Sequence, residues 1–312
     1  MPCPGESSAG NPISITHPVT VDLTPAAITI NTIATDDVIN GAEKGADLTL
    51  SGTTTNVEAG QTVTVTFGGK NYTASVASDG SWSATVPAAD LALLTDGSAS
   101  AQASVSNING NSASAVHNYS VDSSAPTIII NTVASDNIVN ASEADAGVTV
   151  SGSTTAEAGQ IVTVTLNSPT VQTYQATVQA DGSWSINIPA ADLEALTDGS
   201  HTLTAMVNDK AGNPASTTHN LAVDLTVPVL TINTIAGDDI INAAEHGQAL
   251  VISGSSTGGE AGDVVTVTLN SKTYTTTLDA SGNWSVGVPA ADVTALGSGP
   301  QTVTATVTDA AR

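Results

Sequence analysis

Acidic side chains and asparagines recur in this chain at a fixed spacing, and their oxygen atoms are of the kind that bind calcium. In the first copy, Asp22 is followed by Asp36 and Asp37, and then by Asn40 and Glu43. In all three copies a second aspartate lies 14 residues after the first, and it is followed by another aspartate or by an asparagine. Calcium takes about six to eight oxygen ligands from carboxylates, amides and backbone carbonyls. The three cassettes therefore predict calcium sites.

The predicted ligands are the cassette residues, the glutamates that precede an Ala-Gly pair, and the acids that follow the sixth strands. They are Asp22, Asp36, Asp37, Asn40, Glu43, Asp122, Asp136, Asn137, Asn140, Glu143, Glu157, Asp209, Asp224, Asp238, Asp239, Glu245, Glu260 and Asp309. Hard oxygen ligands argue against zinc or copper, and magnesium is the second choice. The alternative is a solvated turn in which Asp and Asn bond their own backbone, but that alternative does not account for the fixed spacing.

Other recurring residues favour structural roles. The histidines lie five residues before each linker aspartate and are predicted to pack at a strand rim; they are His17, His117 and His219. The tryptophans are predicted core anchors, with stacking on a sugar as the alternative; they are Trp82, Trp184 and Trp284. Acids that become serine in the third copy are assigned to turns; they are Asp79, Asp181, Asp96 and Asp198. Three further acids suit the first turn of a helix; they are Asp90, Asp192 and Asp292.

Composition excludes several functional classes. The net charge is −24, from 29 acidic and 5 basic residues. Nucleic-acid binding needs basic patches, and an anionic membrane would repel this chain. No apolar run approaches the ~18 residues of a membrane helix, and the single cysteine, Cys3, cannot form a disulfide within the chain. The sequence contains no phosphate-binding glycine loop, nucleophile elbow or zinc-protease helix, so we expect no enzyme, although carboxylate pairs can cleave glycosides.

Internal repeats determine the predicted fold. Each tryptophan lies in a Gly-Ser/Asn-Trp-Ser phrase that precedes Pro-Ala-Ala-Asp, and the phrases are about one hundred residues apart, the usual length of an immunoglobulin-like sandwich. The predicted class is all-β, with tandem immunoglobulin-like seven-strand β-sandwiches in a linear rod. The predicted boundaries are an added or linker segment at 1–8, the last strand of a preceding repeat at 9–22, and repeats at 23–122, 123–224 and 225–312.

The order of the predicted strands places the acids at the ends of each sandwich. In the first repeat the predicted strands are Ile28–Ile30, Leu48–Leu50, Val63–Phe67, Tyr72–Val76, Trp82–Val86, one ending near Val105, and Ala113–Val121, with a helical turn at Ala88–Leu94. The loop after the first strand and the end of the last strand then share one end of the sandwich. One predicted joint gathers Asp36, Asp37, Glu43, Asp122, Glu157 and Asp209, and the next gathers Asp136, Asn137, Glu143, Asp224, Glu260 and Asp309. At the first pole, Asp22 is expected to meet Glu58 and Asn107.

The ends of the chain are out of register with the repeats. Residues 9–22 match 211–224, with Ala-Gly-Asn-Pro, histidine and Val-Asp at the same spacing. The third repeat stops before its seventh strand. We therefore expect a frayed third repeat, or head-to-tail exchange in which 9–22 of a neighbour adds the strand.

Four phrases carry a family resemblance. They are Val121–Pro126, Ser135–Asn140, Asp181–Trp184 and Asn208–Asn213. They resemble bacterial immunoglobulin-like (BIg) repeats of giant type I-secreted adhesins. The resemblance implies export to the cell surface, calcium at domain joints held by Asp36, Asp122, Asp136, Asp224 and Asp238, and adhesion to host cells through the whole molecule. The partners are then neighbouring repeats and a host surface, with no nucleic acid and no membrane insertion. The alternative is a repeat that itself binds a glycan or a host protein.

Overall fold

A computed structural model describes residues 15–167 and 171–308. The described chain forms two compact units that divide between Ser124 and Ala125. The first unit holds one β-sandwich, and the second unit holds two sheet pairs with separate cores. No helix in the described ranges is long and apolar enough to cross a membrane.

The first repeat is a sandwich of a three-stranded and a five-stranded sheet. Its elements are β1 (Ala27–Ile28), β2 (Val38–Ile39), α1 (Gly41–Lys44), β3 (Leu48–Thr55), β4 (Thr62–Phe67), β5 (Lys70–Ser75), β6 (Ser81–Val86), α2 (Ala88–Leu91), β7 (Gly97–Ser106) and β8 (Ser112–Val121). The sheets have the orders β1-β3-β6 and β2-β8-β7-β4-β5.

The second repeat has the same topology. Its elements are β9 (Ile128–Ile130), β10 (Ile138–Asn140), α3 (Ala141–Ala146), β11 (Val148–Thr154), β12 (Ile161–Asn167), β13 (Gln172–Thr177), β14 (Ser183–Ile188), α4 (Ala190–Leu193), β15 (Gly199–Asn208) and β16 (Pro214–Asp224). The sheets have the orders β14-β11-β9 and β10-β16-β15-β12-β13.

The third repeat has two three-stranded sheets. Its elements are β17 (Val229–Ile232), β18 (Leu250–Thr257), β19 (Val264–Leu269), β20 (Lys272–Thr277), β21 (Asn283–Val288), α5 (Ala290–Thr294) and β22 (Val303–Thr308). The sheets have the orders β17-β18-β21 and β20-β19-β22. Up to residue 308, this repeat shows no counterpart of β8 or β16.

Period-two alternation explains how the sheets pack. Strand β12 alternates buried and outward residues from Ile161 to Asn167, with Val162, Val164 and Leu166 fully buried. Successive side chains of a strand point to opposite faces, so each sheet turns one apolar face to the core and one Thr/Ser face to water. The all-β sandwich class predicted from these patterns is confirmed.

The first strand differs from the prediction. It is broken into β1 and β2, so each complete repeat has eight strands rather than seven. Ala34, Thr35 and Asp37 have positive φ angles of 57°, 99° and 67°, and this left-handed turn carries the chain from the small sheet to the large one. There β2 pairs parallel with β8, Val38 opposite Ser120 and Ile39 opposite Val121.

Residues 15–22 form no strand in this chain. Ile15, Val19 and Val21 are 94%, 78% and 74% exposed. The rest of the segment predicted to be the last strand of a preceding repeat, 9–14, lies outside the described residues, as do the predicted linker at 1–8 and Asp309.

Candidate functional site

The cassette lies at the end of the last strand, where the strand count predicts it. The Ser120 N–H donates to the Asp37 carbonyl oxygen at 2.9 Å, and the Asp122 N–H donates to the Ile39 carbonyl oxygen at 3.0 Å. In the second repeat, parallel pairing places Asn140 opposite Asp224. The acid pair and the linker aspartate therefore share one end of each complete sandwich.

The first acid of each pair closes a tight turn and stays exposed. One Asp36 carboxylate oxygen accepts the Val38 N–H at 3.0 Å, and Asp136 and Asp238 accept from the residue two ahead at 2.9 and 3.0 Å. The linker aspartates accept in the same way, from Ser124 at 3.4 Å for Asp122 and from Thr226 at 3.2 Å for Asp224. These turns hold the carboxylates in place at the sandwich end.

The asparagine and glutamate of the cassette form a capping box. The Asn40 side chain accepts the N–H groups of Ala42 and Glu43, and the Glu43 carboxylate accepts the Asn40 N–H at 3.1 Å. Asn140 and Glu143 repeat the arrangement at the start of α3. A capping box requires this three-residue spacing. The capping box therefore accounts for the fixed spacing of the asparagine and the glutamate without a metal ion.

The second acid of the pair links the cassette to the last strand through a histidine. Asp37 Oδ1 accepts the Ile33 N–H at 2.8 Å and lies 2.6 Å from His117 Nε2. These two contacts, the backbone bond first, lower the pKa of Asp37. In the second repeat Asn137 makes the same contact with His219 at 2.7 Å.

This histidine contact was missed by sequence reasoning. His117 and His219 do lie on the last strands, half-buried, but they also bond the cassette. His17 lies on no strand and is exposed. The available signal was that the histidine recurs five residues before each linker aspartate, which fixes its place beside the cassette.

Asp96 and Asp198 hold the linker that follows the last strand. Asp96 accepts bonds from the Ser123 N–H at 3.1 Å and from the Ser124 hydroxyl at 2.7 Å. The Ser124 hydroxyl bond is the largest cause of the lowered pKa of Asp96. Asp198 likewise accepts the Leu225 N–H at 2.7 Å. The assignment of these acids to simple turns is therefore wrong, because each ties its own loop to the linker.

The opposite pole of the first repeat brings Asp22 and Glu58 to one loop. Asn109 Nδ2 donates to Asp22 Oδ2 at 2.6 Å, and the Ile108 N–H donates to Glu58 Oε2 at 2.9 Å. Asp22 and Glu58 thus contact the loop that holds Asn107, but the side chain that bonds Asp22 is that of Asn109, not the predicted Asn107. The buried Asn107 side chain bonds within that loop, to the N–H groups of Asn109 and Asn111.

The matching pole of the second repeat has an aspartate, Asp209, at the position of Asn107. The Lys210 N–H donates to Glu157 Oε2 at 2.9 Å. Asp209 is 7% exposed, and its two carboxylate oxygens accept from the Asn213 N–H at 2.8 Å and from Asn213 Nδ2 at 2.9 Å. Asp209 therefore shapes the β15–β16 hairpin. Glu260 in the third repeat is exposed.

The remaining acids have structural partners. Asp79 and Asp181 each accept the N–H of the serine two ahead at 3.0 Å, as predicted for turns. The helix-turn acids bond strand tyrosines: the hydroxyls of Tyr72, Tyr174 and Tyr274 donate to Asp90, Asp192 and Asp292 at 2.8, 2.6 and 2.9 Å.

Acid is expected to weaken the first repeat partly through Asp90. Hydrogen bonds from Lys70 and then Tyr72 lower the pKa of Asp90, while burial and then the Asp90 bond raise the pKa of Tyr72 to about 12. A carboxyl whose pKa is lowered on folding adds stability above its unfolded pKa of ~3.9 and loses it as the pH falls through the folded value. Asp90→Asn should therefore lose less stability than the wild type between pH 7 and pH 3, measured by hydrogen exchange in this repeat. Equal losses would refute the assignment.

The tryptophans cannot stack on a sugar in this fold. Trp82, Trp184 and Trp284 are 2%, 2% and 3% exposed and lie in the three hydrophobic cores. The prediction that they are core anchors is confirmed.

The described residues do not close a metal site by themselves. Within residues 15–167 and 171–308, no three His, Cys, Asp or Glu side chains form a group that could hold a metal ion. The chemistry of the sandwich end still suits a hard cation, because the cassette that holds exposed Asp36 pairs with the strand that leads to half-buried Asp122, in a strongly acidic chain. Calcium there would need further oxygens from water or a neighbouring repeat.

Comparisons with known proteins agree with this architecture. Residues 124–225 match the model of the bacterial Ig-like domain family. No curated protein is similar enough to count as a relative. One solved structure, a Ca2+-stabilized adhesin that helps an Antarctic bacterium bind ice, is 35% identical, covering 97% of this chain and 79% of that chain with a TM-score of 0.47.

Two further solved structures have similar identity. A 1.5-MDa bacterial ice-binding adhesin is 34% identical, covering 91% of this chain and 97% of that chain with a TM-score of 0.44. Four tandem repeats from the extending region of a large adhesion protein are 30% identical, covering 91% of this chain and 70% of that chain with a TM-score of 0.32. Residues 124–225 thus belong to the bacterial Ig-like domain family, and the chain is similar in sequence to repeats of large adhesins.

Proposed function

We propose that this chain is a non-catalytic, structural segment of the extracellular rod of a large bacterial surface adhesin. Its repeats are at 23–122, 123–224 and 225–312, and calcium stiffens the junctions between them. The observation that carries the proposal is the parallel pairing that brings the acidic cassette to the strand that leads to the linker aspartate, in both complete sandwiches. The Ca2+-stabilized relative supports the choice of ion. Type I secretion and a role in host-cell contact and virulence follow the family resemblance. The repeats are also proposed to resemble those of the Salmonella giant non-fimbrial adhesin SiiE.

We propose fewer residues as calcium ligands than the sequence alone predicts, because several cassette side chains bond the backbone instead. Asp36, Asp136 and Asp238, with the linker acids Asp122 and Asp224, keep the ligand role. The other cassette residues orient the turn, because Asn40 and Glu43 bond each other and the α1 N-terminus. Repulsion supplies the reason for a cation: two carboxylates ~6 Å apart repel by roughly 3 kcal/mol at an effective dielectric constant of ~20.

Calcium is expected to extend and stiffen the chain. Extracellular modules bind calcium at ~0.1–1 mM, so the sites would fill outside a cell and stay empty inside it. Small-angle scattering should show a larger maximum dimension with calcium than with EDTA, and calorimetry should give the number of ions. An unchanged dimension together with no binding heat would refute the proposal.

Two variants distinguish the residues that we propose to bind calcium from those that only hold the turn in place. Asp136→Asn keeps an oxygen for the Ile138 N–H but removes a charge, so it should weaken calcium binding while the apo chain stays folded. Asn140→Ala removes the cap of α3 and should cost about 1 kcal/mol of stability with calcium binding retained. If Asn140→Ala weakened calcium binding and Asp136→Asn did not, the capping-box residues would be the ligands.

A further inference from the structure

The two complete repeats differ in one charged side chain near the linker. The residue after the capping-box glutamate is Lys44 in the first repeat and Ala144 in the second. Lys44 is half-buried, and its Nζ donates to the Leu94 carbonyl oxygen at 2.6 Å and to Ser123 Oγ at 3.3 Å. Ala144 is 1% exposed and lies in the core of its repeat. The first repeat thus places a positive charge where the second has a methyl group.

The linker residue that Lys44 contacts also differs between the repeats. Ser123 directly follows the linker aspartate of the first repeat, and its counterpart in the second repeat is Leu225. Leu225 is half-buried and packs against the core cluster that contains Ala144. The polar pair of the first repeat is therefore replaced by two apolar residues in the second.

The charge of Lys44 acts on the acidic end of the first repeat. The Ser123 hydroxyl, which accepts from Lys44, donates to Asp96 Oδ1 at 2.8 Å. Bonds from Ser124 and then from Ser123 lower the pKa of Asp96, and the positive charge of Lys44 lowers it further. The ammonium group therefore offsets part of the negative charge at the end of the sandwich where the linker begins.

The second repeat has no comparable charge at this end. Residues 123–224 include one lysine, Lys210, and no arginine. Lys210 lies between β15 and β16, at the pole opposite to the end of β16. The end that carries Asp198 and Asp224 therefore has no lysine or arginine from its own repeat.

We propose that Lys44 is a built-in cation at the end of the first repeat and makes calcium bind more weakly there than at the end of the second repeat. This inference rests on the proposed function, because it concerns the same junction sites. The ammonium group repels a calcium ion, which carries two positive charges, and it already relieves part of the repulsion between carboxylates. We expect an affinity roughly tenfold lower at the first junction. The two junctions would then stiffen at different calcium concentrations.

One other difference between the repeats acts in the opposite direction. The cassette of the first repeat has a carboxylate, Asp37, where the second has the amide of Asn137. Asp37 is engaged by the Ile33 N–H and by His117, but its charge still favours calcium at the first repeat. The test therefore changes Lys44 alone instead of comparing the two repeats.

Calorimetric calcium titration tests the inference in a chain whose second junction is weakened by Asp136→Asn. The remaining heat then reports the first junction. Adding Lys44→Met should tighten calcium binding there roughly tenfold, because methionine keeps an unbranched apolar stem without the charge. Lys44→Arg keeps the charge and should therefore keep the weaker affinity. The matched control Lys272→Met removes one positive charge from the third repeat and should leave the affinity of the first junction unchanged.

A measurement without calcium distinguishes the charge of Lys44 from its packing. In EDTA, Lys44→Met should lower the protection of the β2 and β8 amides from hydrogen exchange, because the acids lose their cation, and calcium should restore it. An unchanged or weaker calcium affinity in Lys44→Met would overturn the inference and leave the proposed function standing. Equal tightening by Lys272→Met would also overturn it, since net charge would then be the cause. No binding heat in any variant would overturn the proposed function itself, and this inference with it.

Discussion

Replacing Gly254 with alanine is expected to destabilise the third repeat by about 3 kcal/mol. A Cβ at this position would overlap the Thr231 carbonyl oxygen of β17 and come within 2.6 Å of Trp284 Cζ2. Backbone and a buried ring cannot both move aside in a close-packed core, so β17 must shift. The same crossing occurs at Gly52 over Trp82 and at Gly152 over Trp184.

Gly287 provides the matched control in the same repeat. It lies on β21, its φ angle is not positive, and a Cβ there would meet no atom within 4 Å. Gly287→Ala should therefore change stability by less than about 0.5 kcal/mol. Hydrogen exchange of β17 and β18 peptides in increasing urea would measure both variants. Equal stability of the two variants would show that the glycine–tryptophan crossing does not constrain the fold.

Replacing Leu221 with alanine is expected to destabilise the second repeat by about 3 kcal/mol. Leu221 is fully buried on β16, within the core cluster that contains Trp184. Its loss should loosen the last strand and with it β10, whose partner is β16.

Asn220 is the neighbouring control for this test. Its side chain is exposed on the same strand, so Asn220→Ala should stay within about 0.5 kcal/mol of the wild type. The amides of Ile138 and Val139 should lose exchange protection in Leu221→Ala but not in Asn220→Ala. Intact protection in Leu221→Ala would mean that β10 is held by something other than the last strand.

These tests bear on function because the last strand carries the proposed calcium ligands. Asp122 and Asp224 lie at the ends of β8 and β16, and Asp96 and Asp198 tie the following linker to the same end. A repeat without its last strand has the cassette acids Asp238 and Asp239 but no paired strand beside them among its described residues. Completion of the sandwich and completion of the ion site are therefore expected to occur together.

Much of the architecture was determined by local pattern. Alternation of valine with threonine identified the strands, and the tryptophan phrase identified three repeats. The pairing of the cassette with the last strand also followed from counting strands. Each inference needed only periodicity or a repeat, because strand direction and facing depend on local geometry.

Tertiary structure decided the roles of the individual acids. The spacing of Asn40 and Glu43 suits both a metal ligand set and a capping box, and only the backbone that follows shows the box. The contact of His117 with Asp37 joins residues 80 positions apart, and the bond from Asp96 to Ser123 spans 27. Sequence alone determined which oxygens recur and at which end they lie. Folding decided which of them are engaged by the backbone, because hydrogen-bond partners brought together by sheet pairing are distant along the chain.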